Sequence, residues 1–305
     1  MDIHHSISNF PSNLKTVLTI GTFDGIHKGH RYILQSLISE SKRLGFSSVL
    51  LTFNPHPRNV LFPQGQDLKL LNTIDEKVLE LQNIGIDHLI IHEFTKDFSR
   101  ISPVNFIRDI LVSKLNMQHM IVGYDHHFGR NREGSFEELQ QLSDLYNFSL
   151  QKIEAHEFKD IKISSTKVRK ALLEGNVHHA YNLLGYYYIL SGVVLHGNKL
   201  GRKIGFPTAN IEVDKNKLIP KPGVYVVKVS IEAQIYFGML NIDIRTEKIE
   251  VHVFDFSEFI YDKIIQVYLI SRLRDGKKMD SLEDLKSELI NDEKKARVIL
   301  QNKFA

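Results

Sequence analysis

The spacing of apolar residues changes once along the chain, and that change sets what it can fold into. From Thr16 to about Ile153, short apolar runs alternate with longer stretches of helical spacing, the pattern of successive βα units around a parallel sheet. Strands are expected at Val17–Ile20, Val49–Phe53, His88–Ile91 and Met120–Val122. Helices are expected at Arg31–Leu44, Asp75–Ile84, Val104–Leu115 and Phe136–Tyr146, with Ser102-Pro103 as N-cap and first-turn proline. Beyond about Tyr186 the runs become strand-like: Tyr187–Val194, Val224–Ile231, Ile235–Leu240, Glu250–Phe256 and Lys263–Ser271, separated by turns containing Gly, Pro and Asn. The first half reads as Rossmann-like α/β, the second as an antiparallel barrel or sandwich. A tail helix from Ser281 to Leu300, with Leu282, Leu285 and Leu289 on one face, is expected to pack on that second half. A length of 305 residues suits two domains, here 1–184 and 185–305.

Composition narrows the setting. The chain is 42% hydrophobic and 25% charged, and no unbroken apolar run approaches the roughly 20 residues that span a bilayer. The start, Met1-Asp2-Ile3-His4-His5, lacks the pattern of a secretory signal. Cysteine is absent, so disulfides, thiolate metal sites and a cysteine nucleophile are excluded, and a cytoplasmic location is expected. A net charge of +3 without Lys/Arg blocks argues against a nucleic-acid surface, and no membrane partner is expected.

Two segments carry chemistry in the first half. Gly21-Thr-Phe-Asp-Gly-Ile-His-Lys-Gly-His30 follows the first strand and opens the first helix, where backbone amides and the helix dipole favour an anion. Gly21, Gly25 and Gly29 allow a sharp turn and close approach, and His27 and His30 can donate to one phosphate. The plain alternatives are a glycine turn with two surface histidines, or a zinc pair, for which no third ligand is spaced nearby. Ile163-Ser-Ser-Thr-Lys-Val-Arg169 precedes a short helix expected at Val168–Glu174; its hydroxyls could simply cap that helix, while Arg169 adds a bidentate phosphate donor. Together the two resemble the HxGH and ISSTxxR motifs of the nucleotidyltransferase superfamily. No P-loop and no Gly-x-Gly-x-x-Gly is present, and no KMSKS-like loop supports an aminoacyl-tRNA synthetase.

Further segments resemble one family. Thr52-Phe-Asn-Pro-His-Pro-Arg58, Phe94-Thr-Lys-Asp-Phe98 and Val122-Gly-Tyr-Asp-His-His-Phe-Gly129 are similar to the adenylyltransferase domain of prokaryotic bifunctional riboflavin kinase/FAD synthetase. Gly197-Asn-Lys-Leu-Gly-Arg-Lys-Ile-Gly-Phe-Pro-Thr-Ala-Asn210, Pro222-Gly-Val-Tyr225 and Glu250-Val-His-Val-Phe-Asp-Phe256 resemble its kinase domain. The resemblance implies an α/β nucleotidyltransferase domain followed by a mostly antiparallel β-barrel kinase domain with a C-terminal helix, using ATP, riboflavin and FMN, yielding FAD, and requiring Mg2+. In the first domain it implies that Gly21, Phe23, Asp24, His27, Gly29 and His30 bind ATP, with His27 and His30 stabilising the transfer state. Asn54, His56, Ser164, Ser165, Thr166 and Arg169 complete that ATP site, and Asp125 and Phe128 border the flavin. In the second domain it implies that Gly197, Leu200, Gly201, Gly205, Pro207, Thr208 and Asn210 bind ATP, with Thr208 and Asn210 on magnesium. Asn241, Glu250 and Arg274 would meet the flavin there, Glu250 acting as base. A monomer or weak homo-oligomer is expected.

The chain departs from the family pattern in places. Asn241-Ile-Asp-Ile-Arg-Thr-Glu247 replaces Asn-Ile-Gly-x-Arg-Pro-Thr, which bears on flavin affinity in the kinase site. Gly276 stands where an acidic residue is common, and His126-His127 replaces an aromatic and arginine pair, which suggests a pH-dependent adenylyl transfer. Three rivals differ in class: another small-molecule adenylyltransferase with an unrelated barrel, a flavin-binding protein whose activities have decayed, and an OB-like nucleic-acid binder. The last would need basic residues around its exposed aromatics, and Tyr186, Tyr187 and Tyr188 have none.

Overall fold

The computed structural model describes residues 1–62, 68–123, 134–153, 163–196, 201, 204–243, 248–279 and 281–304. By contacts the chain separates into two compact units, Met1–Lys69 with Lys77–Ser164, and Leu70–Glu76 with Ser165–Ala305. The longer segment of the second unit starts at Ser165.

In the first unit six strands form a parallel sheet: β1 Asp2–His4, β2 Thr16–Ile20, β3 Ser47–Asn54, β4 His88–Glu93, β5 Met117–Gly123 and β6 Ser149–Ile153, in the order β1-β4-β3-β2-β5-β6. All five residues of β2 are buried, as expected of a central strand covered on both faces. From β2 the order runs through β3 and β4 to one side and through β5 and β6 to the other. The carboxyl end of β2 is therefore a topological switch point, where open α/β sheets bind ligands. Helix α1, Lys28–Leu44, starts there. It ends on Gly45 in the left-handed region, φ 68°, whose N–H returns to Lys42 and Ser41 carbonyls. A short α2, Pro57–Leu61, and α3, Ile74–Ile84, follow β3. The helix expected at Val104–Leu115 is a single α-turn, Pro103–Asn105, running into a wider π-helix, Phe106–Lys114, in which the Leu115 N–H reaches back five residues to Ile110 at 2.9 Å. Ser102 caps it as expected, accepting from the Asn105 N–H. Phe106, Ile107 and Leu111 enter a core with Leu18, Ile20, Val49, Leu51, Ile90 and Met120. Helix α5, Phe136–Tyr146, closes that core with Leu139 and Leu142 (the π-segment with its leading turn is α4).

In the second unit α6, Ser165–Leu173, and α7, Val177–Leu184, precede a closed antiparallel barrel. Its strands are β7 Ile189–Leu195, β8 Ala209–Val213, β9 Gly223–Ile231, β10 Gln234–Asp243, β11 Lys248–Val253 and β12 Ile264–Arg274, in the order β10-β11-β8-β7-β12-β9. Closure removes the exposed edges a sandwich would keep. Helix α8, Leu282–Phe304, packs on the barrel through Ala296 and Leu300 against Phe206, Val226, Met239, Phe254 and Ile270. Ser281 caps it by accepting from the Asp284 N–H at 3.1 Å. Leu282, expected on the packed face, stays 48% exposed.

Candidate functional sites in the two units

The turn between β2 and α1 is held in an unusual conformation. Phe23 (φ 44°), Gly25 (φ 88°) and Ile26 (φ 34°) all lie in the left-handed region, a costly arrangement for Phe and for β-branched Ile. Both side chains are buried, Phe23 at 4% exposure and Ile26 at 0%, so packing offsets the strain. His27 is the N-cap of α1: its Nδ1 accepts the His30 backbone N–H at 3.2 Å, which puts the ring proton on Nε2. The His30 ring stacks on His27 with centroids 3.7 Å apart and planes 13° from parallel, and Phe23 lies 4.8 Å from it. The His30 Nδ1 is buried without a hydrogen-bond partner among the described residues. Burial, then His27 and Lys77, hold the His30 pKa well below the ordinary histidine value, so the His30 ring is neutral at neutral pH in the free protein. Two imidazoles side by side at a helix N-terminus can each offer a ring N–H to an oxyanion.

Gly21, Phe23, Asp24 and Gly29 belong to this same turn, with Asp24 4% exposed. Asn54 ends β3, the strand beside β2, and is exposed; His56 caps α2, its Nδ1 accepting from the Arg58 N–H at 3.2 Å. These residues therefore gather at the carboxyl edge of two adjacent strands. Ser165 and Thr166 form the first turn of α6, with Arg169 one turn on; Ser164 precedes it as the last residue of the first unit. Helix α6 starts three residues earlier than expected, so the two hydroxyl residues are helical rather than preceding the helix. Asp125, Phe128, His126 and His127 lie outside the described residues.

One residue here escaped the sequence reading. Lys77 on α3 is 6% exposed, and its Nζ donates to the Thr22 carbonyl at 2.7 Å. Burial pushes its pKa down to about 8 against the favourable charge of Asp24. In the sequence it resembles any helical surface lysine, and only its fold position distinguishes it.

The second unit holds a cavity of about 730 Å³ at the barrel. Gly201, Thr208, Asn210, Asn241, Glu250 and Arg274 all line it, as do Phe206, His252, Met239 and Leu289. Strand register brings the polar residues together. Asn210 on β8 pairs with Glu250 on β11, which pairs in turn with Asn241 on β10. Residues directly opposite across a ladder point to the same face with Cβ atoms roughly 4.5–5.5 Å apart, so the three form one polar row along the cavity wall. His252, two residues along β11 and on that face, donates from Nδ1 to the Pro207 carbonyl at 2.8 Å and ties β11 to the Pro207-Thr208 turn. Gly201 accepts from the Phe206 N–H at 2.9 Å, and a Cβ there would stand 2.1 Å from the Phe206 carbonyl oxygen, so the turn closes only around glycine. Arg274 makes three contacts to the fully buried Asp292 of α8, Nε at 3.0 Å to each carboxylate oxygen and Nη2 at 2.7 Å, and a fourth to Glu288 at 3.2 Å. Its guanidinium thus anchors α8 at the cavity wall. Gly205 and Pro207 adjoin the lining residues, Gly276 lines the cavity, and Gly197, Leu200 and Ile244–Glu247 lie outside the described residues.

Comparison with known proteins matches each unit to its own chemistry. A family described as FAD synthetase matches residues 10–167, and one described as riboflavin kinase matches residues 184–300. The bifunctional riboflavin kinase/FMN adenylyltransferase of Listeria monocytogenes serovar 1/2a is 34% identical over 303 residues, covering 97% of this chain and 96% of its own. The chain belongs to this family. It is an enzyme with a FAD synthetase domain and a riboflavin kinase domain, a transferase of flavin biosynthesis with two functions. The member from Escherichia coli strain K12 is 36% identical over 300 residues, 96% of this chain and 95% of its own. A solved structure from Streptococcus pneumoniae, called a macrolide-efflux protein, superposes with a TM-score of 0.87 at 31% identity, covering 97% and 98% of the two chains. That likeness covers both units; among the described residues no helix is long and apolar enough to cross a membrane.

Proposed function

We propose that the barrel phosphorylates riboflavin with ATP and that the α/β unit transfers AMP from a second ATP to FMN, with 1–184 and 185–305 as the functional domains. The observation that carries the kinase half is the Asn241–Glu250–Asn210 row inside the cavity. Glu250 accepts the proton of the ribityl 5'-hydroxyl as that oxygen attacks the γ-phosphorus, and the bond to the β-phosphate bridging oxygen breaks to release ADP. The Thr208 hydroxyl and the Asn210 amide oxygen are hard donors of the kind magnesium takes, and the remaining ligands would be phosphate oxygens and water. Bound there, Mg2+ would neutralise charge on the β- and γ-phosphates. Asn241 and Arg274 border the flavin, and Gly201, Gly205, Pro207 and the segment with Gly197 and Leu200 border the nucleotide.

In the first domain an FMN phosphate oxygen attacks the α-phosphorus of ATP, and pyrophosphate leaves without a covalent enzyme intermediate. The His27 and His30 ring N–H groups and the amides of the Gly21–His30 turn stabilise the charge on the pentacovalent phosphorus. Asn54, His56, Ser164, Ser165, Thr166 and Arg169 hold the triphosphate, and Asp125 and Phe128 border the flavin. The absence of cysteine supports a cytoplasmic enzyme, and small-molecule substrates call for no macromolecular partner.

A chromatographic time course with riboflavin, ATP and Mg2+ tests this reading. FMN should rise first and FAD follow. FAD formed only from supplied FMN would remove the kinase assignment, and no flavin product from either substrate would remove both.

A further inference from the structure

The β2–α1 turn is gripped from one side by a single helix face. Lys77 and Glu80, three residues apart on α3, face the same way. Lys77 donates to the Thr22 carbonyl at 2.7 Å, just before the turn, with a longer contact to the Thr52 hydroxyl at 3.5 Å. Glu80 pairs with Arg31, just after the turn, and the two side chains are 7% and 24% exposed. Everything from Phe23 to His30 lies between these two anchor points.

A buried ammonium is expensive to keep, costing several kcal/mol of lost hydration unless well paired. The turn in turn contains two non-glycine residues in the left-handed region, a conformation that persists only where surrounding contacts over-determine it. Each of these costs accounts for the other. We propose that Lys77, supported by Glu80, is a positioning residue for adenylyl transfer, fixing the Thr22 carbonyl and through it the backbone amides and both histidines of the turn. The inference rests on the reading of the first unit as the site of that transfer. The charged and titratable groups around Lys77 are Asp24, His27 and His30 from the turn, with Arg31 and Glu80 completing the clamp. Lys77 reaches the backbone at Thr22, where the chain enters the turn. Its charge also helps keep His30 neutral before nucleotide arrives.

The test is Lys77→Met in the full chain, with adenylyl transfer to supplied FMN and phosphorylation of riboflavin measured on the same preparation. Misplacing the turn by a fraction of an ångström to an ångström should lower kcat for FAD formation by about 10- to 100-fold, with KM for FMN and the kinase rate unchanged. A second readout separates positioning from simple support of the fold. In the wild type, kcat/KM for ATP in adenylyl transfer should fall above pH 8 as Lys77 loses its proton, and Lys77→Met should lack that limb. Wild-type adenylyl-transfer rates in Lys77→Met would overturn the proposal. Were that variant to lose both activities through misfolding, Glu80→Gln would decide in its place: a selective fall in FAD formation supports the clamp, and unchanged rates overturn it. A wild-type protein that makes no FAD from FMN removes the proposed function itself, an outcome distinct from a silent Lys77 substitution.

Discussion

Glu250 on β11 stands directly opposite Asn210 on β8, and the two share the wall of the barrel cavity. Forty residues of sequence separate this carboxylate from this amide, and one rung of an antiparallel ladder reunites them. Because side chains alternate across a strand, a slip of one residue in this register would turn Glu250 out of the cavity. The register is therefore as much a part of the proposed kinase site as the residues.

Glu250→Gln keeps the shape of this row and removes its basic oxygen. FMN formation from riboflavin should fall about 10²- to 10⁴-fold, the range for loss of a general base, with the melting temperature unchanged. Initial rates at saturating ATP measure it; a rate within a factor of two of wild type would exclude Glu250 as base.

His30 should resist protonation. Burial, His27 and Lys77 hold its pKa well below the usual value, so ring NMR signals of the free protein should show it neutral at pH 6.5. The linked stability has a defined sign. Near pH 6.5 and below, the unfolded chain takes up a proton on His30 that the folded protein refuses, so this residue makes stability fall with falling pH. Titration of His30 at its ordinary pKa would contradict the buried, stacked geometry.

Lys77 produces a slope at the other end of the scale. Its folded pKa of about 8 lies below the unfolded value of 10.5, so between them the unfolded chain binds more protons and stability rises with pH. From pH 7.5 to 9.5 the wild type should gain about 2 kcal/mol relative to Lys77→Met in urea unfolding. Parallel pH profiles for the two proteins would mean that Lys77 titrates as an exposed lysine does.

The β9–β10 hairpin turns through Glu232 and Ala233, both at positive φ, 49° and 67°, between the paired residues Ile231 and Gln234. A two-residue turn with both φ positive favours Asn-Gly. Glu232→Asn with Ala233→Gly should stabilise the barrel by about 1–2 kcal/mol without altering either activity, as read by thermal unfolding.

The central strands and the turn that opens α1 were legible in the sequence because their physical signals are local. Apolar runs buried on both faces mark β2 to β5, and glycines with paired histidines mark the turn after β2. Edge strands carry no such signal: β1 has three residues and β6 alternates exposed and half-buried positions, so neither stands out from a loop. Strand β8 hid behind Pro207-Thr208, which reads as a turn, although the strand beginning at Ala209 is what aligns Asn210 with Glu250. The π-helix Phe106–Lys114 was readable as helical but not as wide, since its hydrogen-bond offset depends on packing against the sheet. Lys77 and His252 were missed for a similar reason. Their partners are backbone carbonyls, Thr22 and Pro207, which no side-chain pattern reveals.

The central claim is that one chain carries two separable transferase sites. It is tested most directly by running Glu250→Ala and His30→Ala through the same flavin chromatography, each supplied in turn with riboflavin and with FMN. Glu250→Ala should make no FMN from riboflavin yet convert supplied FMN to FAD at the wild-type rate, and His30→Ala should accumulate FMN and form little FAD. Loss of both reactions in each well-folded variant would contradict two independent sites.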